Sequence, residues 1–185
     1  MTELATISDA AWTAAVDIDA LIKDAANTQN GSNDGAIIKK FTILAIRLQQ
    51  FRNHTDQLGD WIADGASALS PRLQAVLDNT IAECAKVSAV VFGEIGRVTG
   101  GGRHSLEAID PNALAEYNAL LAAYSRVCIF VTQVYALGHE GEQESKLDHP
   151  DVQQLLRNAQ ATTERVMSSK GILLSDANPR LVNGN

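Results

Sequence analysis

Four histidines and two cysteines carry most of the chemistry this chain could offer. The histidines are His54, His104, His139 and His149. A di-iron bundle sets Glu-x-x-His pairs on inward helix faces, and no such pair occurs here. No two histidines stand three or four residues apart, so no helix face presents two imidazoles to one metal. His-Glu-x-x-His and Cys-x-x-Cys runs are missing too, and a zinc site is not expected. His104, His139 and His149 fall in connections or at a cap, and His54 flanks an apolar seam beside Thr55. Cys84 and Cys128 sit inside apolar helical patterns and read as reduced core thiols. A bridge between two facing helices cannot be deduced from spacing. A buried thiol lacks the electropositive, accessible setting that a nucleophile needs, and there is no Gly-x-Ser-x-Gly elbow.

Two segments invite a binding reading and fail on context. Gly100-Gly101-Gly102-Arg103-His104-Ser105 is glycine-rich, but a phosphate loop follows a strand and opens a helix with Lys-Ser/Thr. This one follows a helix, so it reads as a helix stop and joint. The segment 138–149 holds Glu140, Glu142, Glu144 and Asp148, yet its glycines do not match a calcium loop. It reads as a solvated acidic loop. The chain is therefore expected to be no enzyme and to carry no cofactor.

The balance of charge narrows the partners. Fifteen Lys+Arg stand against 22 Asp+Glu in 185 residues, a formal charge of −7. Such a chain gains nothing from counterion release, so no nucleic-acid partner is expected. No basic run marks a membrane-surface patch. The N-terminal stretch carries Asp9, Asp17 and Asp19, which speak against a signal peptide; membrane contact stays open but gains no support from the first helix. The most apolar window, Ala113 to Leu137, contains Glu116 and Arg126 and reads as a buried helix of a soluble bundle rather than a span. The expected location is cytoplasmic.

The elements that must position these residues are all helical. Phe41, Leu44, Leu48, Phe51, Leu58 and Ile62 step by threes and fours, with Thr55 in the intervening slot. Leu114, Tyr117, Leu121, Tyr124, Cys128, Val131 and Tyr135 repeat that stepping. A broader stripe runs through Leu73, Val76, Leu77, Ile81, Cys84, Val87, Val91, Ile95 and Val98. Shorter helices fit Trp12, Val16, Leu21 and Ile22, and Val152, Leu155, Leu156, Ala159 and Val166. No period-2 alternation marks a strand. The expected helices span 9–26, 36–64, 71–98, 111–137 and 150–168. Ser70-Pro71 and Asp110-Pro111 place a cap before a proline at the first helical position, and Asp148 or His149 does so before Pro150. The glycines at 100–102, Gly138 and Gly171 are expected stops. The fold class is all-α: an up-and-down bundle of about five helices, two to three of them long, with short joints favouring antiparallel neighbours. Residues 1–174 form one domain and 175–185 a flexible tail.

Part of this pattern resembles a known family. Leu48-Gln49-Gln50-Phe51 through Leu58-Gly59-Asp60-Trp61, then Ala68-Leu69-Ser70-Pro71-Arg72-Leu73-Gln74-Ala75-Val76-Leu77, is similar to the HeLo and HeLo-like N-terminal domains of fungal STAND/NLR-type receptors. In that group a long helix ends near Leu-x-x-Trp, and a Leu-rich helix then carries a Cys, here Ile81-Ala82-Glu83-Cys84. The spacing of Tyr117 to Leu137 and of Val152 to Ala159 is also similar, so the likeness spans about residues 48–166. Those domains usually open with a strongly apolar helix that inserts into membranes in the cell-death executors. This chain opens instead with Asp9, Asp17, Asp19, Lys23 and Asp24. The resemblance then implies a helical signalling or self-association module, not a pore former.

The expected function is a non-catalytic protein-interaction module acting on a protein partner or on itself. Trp12 and Trp61 together are its candidate surface, since exposed Trp is enriched at binding hot spots. The alternative is a bundle that binds a small apolar ligand or lipid. Phe51, Leu121, Tyr124 and Cys128 would line its core, and Ala82, Ala85, Ala89, Ala119, Ala122 and Ala123 would leave room between the helices.

Overall fold

The computed structural model describes residues 2–27, 34–65, 69–100 and 110–170. The glycine-run loop with His104, the stop at Gly171 and the tail from 175 lie outside the described residues. Six helices and no strand occur among those described: α1 Thr2–Asn27, α2 Asp34–Asp64, α3 Pro71–Gly100, α4 Pro111–Tyr135, α5 Glu140–Leu147 and α6 Pro150–Ser169. The fold is an all-α bundle.

The capping chemistry accounts for the starts. Ser70 Oγ accepts from the Leu73 amide at 3.2 Å, and Asp110 Oδ1 accepts from the Asn112 amide at 2.9 Å. Each satisfies one of the orphan donors that open a helix. His149, not Asp148, caps α6, its Nδ1 accepting from the Asp151 amide at 3.3 Å. Gly65, with φ of 60°, takes the left-handed turn that stops α2.

Helix direction alternates along the chain, but the ring of neighbours does not follow chain order. The packed pairs are α1 with α2, α2 with α4, α4 with α3, and α3 with α1. Within α1/α2, Leu4 lies by Gly59 and Trp12 by Arg52, so the pair is antiparallel. Within α3/α4, Tyr124 bonds Glu83 while Tyr117 sits near Glu94, which is again antiparallel. Across the two hairpins the neighbours run parallel. Glu3 shares a small cleft with Ile81, and Ile7 and Ala10 share another with Ala85 and Ser88. Trp61 and Tyr135 meet at the C-terminal ends of α2 and α4. The antiparallel partners are those inside each hairpin, whereas α2 and α3, although joined by only residues 65–70, face each other across the core. Phe51 and Phe92 make that contact edge to face, with ring centroids 6.4 Å apart. Helix α6 runs antiparallel along α4, with Tyr124 on Thr163 and Glu116 on Ser169.

One hydrophobic core serves all of these helices. Leu44, Leu48, Phe51, Leu58, Leu77, Cys84, Val91, Leu121, Tyr124, Cys128 and Val131 are buried as the stripes require, and Ile81 is half-buried. Thr55 is buried in the seam and satisfied, donating to the carbonyls of Phe51 and Arg52. Helix α4 is the one described helix long and apolar enough to cross a membrane, and more than half of its most apolar window is buried inside the bundle.

Two sequence expectations need correction. Helix α1 starts at Thr2, not near 9, and its buried face is Leu4, Ile7, Ala11, Ala14, Ala15, Ile18 and Leu21. Trp12 and Val16 point outward. Small alanines take the inner face because α2 and α3 both approach α1 closely. The segment 138–149 is no open loop: residues 140–147 form α5.

Candidate functional site

Helix α5 is fixed over the start of α3 by a buried amide. Gln143 has no solvent exposure. Its Oε1 accepts from the Ser70 backbone amide at 2.9 Å, and its Nε2 donates to the Leu137 carbonyl at 2.8 Å. One side chain therefore ties the first turn of α3 to the end of α4. Outside it, Arg72 bridges Glu144 at 2.8 Å and Asp148 at 2.9 Å. These acids hold the guanidinium charged, and the Asp148 hydrogen bond is the largest cause of its raised pKa. Two of the four carboxylates in the acidic segment are thus engaged in pairing rather than simply solvated.

Beside this bracket lies a groove. Helices α3 and α6 both pack on α4 and leave a cleft of about 320 Å³ between them. Its floor is Tyr124 and Val127. One wall carries Ala75, Val76, Asn79 and Thr80, and the other carries Gln153, Leu156, Ala159 and Gln160. Arg72 and Arg157 stand at its rim, and no carboxylate is among the lining residues. Below the floor, the Tyr124 hydroxyl pairs with Thr163 at 2.9 Å and donates to Glu83 at 3.2 Å. Burial pushes its phenol well above the usual tyrosine range. A shallower depression lies between α1 and α3, lined by Glu3, Thr6, Ile7, Ala10, Ala85 and Ser88.

The second feature is the outer surface of α2. Its fully exposed positions between 41 and 59 are Thr42, Ile43, Ile46, Gln49, Gln50, Asn53 and Gln57. None is charged. At 1.5 Å per residue the strip runs for about 22 Å. The exposed large hydrophobics of the described residues are Trp12, Val16, Ile43, Ile46 and Trp61, and all five belong to α1 and α2. Charged residues are depleted at the centre of protein interfaces, so an uncharged strip with isoleucines has the composition of one.

The two tryptophans do not form one patch. Trp12 is covered on one side by Arg52, whose guanidinium carbon lies 4.7 Å from the ring centroid. Trp61 packs edge-on against Tyr135 at 6.3 Å. Arg52 and Trp61 are nine residues apart on α2, about two and a half turns, and so leave the helix on opposite sides. Trp12 borders the α2 strip at the α1 seam and Trp61 at the α4 seam. Ile43 lies about five full turns from Trp61 and shares its side.

The remaining chemical candidates are separate. Cys84 and Cys128 are free, fully buried and 3.8 Å apart at sulfur. Hydrogen bonding to Cys128, followed by burial, holds the Cys84 thiol far above its ordinary pKa. His54 is partly buried, which lowers its pKa. His139 and His149 sit at the N-caps of α5 and α6. Among the described residues no group of three or more His, Cys, Asp or Glu is placed to hold a metal ion. Of the expected core-lining set, Tyr124 reaches the groove, while Phe51, Leu121 and Cys128 are buried away from it.

Sequence reasoning missed the groove and the bracket. The α3/α6 cleft depends on two helices that share a neighbour without packing on each other, and no local pattern encodes that relation. Gln143 left a fainter trace, as a lone amide in an acidic helix turn that follows Leu137 by six residues. No known protein-family profile matches the chain, and no curated protein or solved structure is significantly similar to it.

Proposed function

We propose that this chain is a non-catalytic helical interaction module, of the signalling or self-association kind to which HeLo and HeLo-like domains belong. The observation that carries the reading is the uncharged outer strip of α2, Thr42 to Gln57, in a chain with one charged residue in five. Ile46 lies on the strip and Ile43 on its flank, while Trp12 and Trp61 bound it on opposite sides. A partner chain or a second copy seated there would bury both isoleucines, with Arg47, which bonds Gln50 at 2.9 Å, and the carboxylates of Asp56 and Asp60 at the edges of the contact. Both thiols are inaccessible, and the groove holds no acid–base pair.

The test is a light-scattering and sedimentation series across concentration, with the Ile43→Gln/Ile46→Gln double variant beside the parent. Both positions are exposed at over 40%, so thermal stability should change little. Association weakened by about tenfold or more supports the reading. Equal association in a folded double variant overturns it.

A second reading, a bundle that binds a small apolar ligand, is favoured by the α3/α6 groove alone.

A further inference from the structure

We propose that the α3/α6 groove is a binding site for a small amphipathic monocarboxylate, its apolar body on Tyr124 and Val127 and its carboxylate on Arg157. The volume comes first. About 320 Å³ falls at the lower end of ligand pockets, roughly 300–1,000 Å³. A groove of that size suits a short acyl or aryl acid. Polarity comes second. Val76, Val127, Leu156, Ala75 and Ala159 give an apolar interior, while Asn79, Gln153 and Gln160 supply uncharged polar groups.

Charge then selects the end of the groove. Arg72 and Arg157 are the only ionic residues lining the cavity. Arg72 is already balanced by Glu144 and Asp148. Arg157 bonds only the neutral Gln154, at 3.3 Å, and has no carboxylate within ion-pairing distance among the described residues. The uncompensated cation is therefore Arg157, on the α6 wall. An anion placed there restores a pairing that Arg72 already has. A neutral or cationic amphipath of the same length gains the apolar floor alone. Guanidinium is well suited to the task because its planar fork matches a carboxylate.

The probe is sodium octanoate, titrated into the full chain and followed by amide NMR shifts and calorimetry. Octan-1-ol and octylammonium serve as the neutral and cationic controls. The expected result is one saturable octanoate site, with both controls at least about tenfold weaker. Arg157→Gln should reduce octanoate to the level of octanol and leave octanol unchanged. Ala75→Trp, at an exposed wall position, should fill the groove and remove octanoate binding while the helical circular dichroism persists. Three results would overturn the proposal: no saturable octanoate binding, octanol bound as tightly as octanoate, or binding that survives Ala75→Trp. The Ile43→Gln/Ile46→Gln variant should bind octanoate normally, so failure of this site and failure of the α2 interface are separately visible.

Discussion

The sulfur atoms of Cys84 and Cys128 face each other at 3.8 Å across the α3/α4 seam, with no solvent exposure on either residue. Two thiols at that distance satisfy each other as a weak donor and acceptor. They also lie beyond the reach of a soluble reagent until the helices separate.

Their reactivity should follow from that. In the native protein both thiols should react with an aromatic disulfide reagent on the order of a hundredfold slower than free cysteine, since only opened molecules expose a thiolate. Both should titrate at once in guanidinium. Fast stoichiometric labelling of the folded chain would refute the packing of this seam.

The same pair sets a direction for alkaline stability. The folded Cys84 thiol keeps its proton at a pH where the unfolded thiol, near pKa ~8.5, has lost it. The native state then binds more protons than the unfolded state, so stability falls as pH rises above that value. The decline should be shallower in Cys84→Ala than in the parent. An equal slope in both, from urea unfolding between pH 7.5 and 10, would remove Cys84 as the cause.

His54 works at the acid end. Burial lowers its folded pKa below the unfolded value near 6.5. Between those two values the unfolded chain takes a proton that the folded chain declines. Stability is therefore full above about pH 6.5 and falls as acid carries the pH down toward the folded pKa. His54→Gln should flatten that part of the profile. An unchanged acid slope in the variant would assign it to the carboxylates.

Leu121 has no solvent exposure in the middle of α4. Its truncation to alanine should destabilise by ~2–5 kcal/mol, the transfer loss plus the cavity left behind. A change below ~0.5 kcal/mol in chemical denaturation, typical of an exposed site, would contradict the burial.

Gln143 and Arg72 hold the same helix by unequal means, and their variants should separate. Gln143→Ala orphans the buried Ser70 amide and should cost about 1–3 kcal/mol. Arg72→Ala removes ion pairs whose side chains are between a third and two thirds exposed, and should cost under about 1 kcal/mol. Denaturation of the two variants side by side checks the order. Arg72→Ala costing more than Gln143→Ala would reverse it.

What could be read from the chain depended on how local the cause was. The stripe through Leu44, Leu48, Phe51 and Leu58 repeats every three to four residues, so α2 and its buried face follow from spacing alone. Ser70-Pro71 and Asp110-Pro111 marked the starts of α3 and α4 for the same reason, because a cap acts within one turn. Helix α1 was legible only in part. Its inner face is built on Ala11, Ala14 and Ala15, and a search for large apolar residues selects Trp12 and Val16, which point outward. The two tryptophans could not be placed relative to each other, because the neighbours that cover them, Arg52 and Tyr135, are 40 and 74 residues away in sequence. The groove is less legible still. It follows from α3 and α6 sharing α4, a fact of tertiary packing.

The pairing of two hairpins side by side has a consequence for the order of assembly. Contacts inside α1/α2 and inside α3/α4 join segments linked by six and ten residues of chain, so closing them costs little chain entropy. Contacts between the hairpins, such as Trp61 with Tyr135, 74 residues apart, carry a larger closure cost than those inside each hairpin. Helix α6, which packs mainly along α4, joins a surface that the second hairpin has already built.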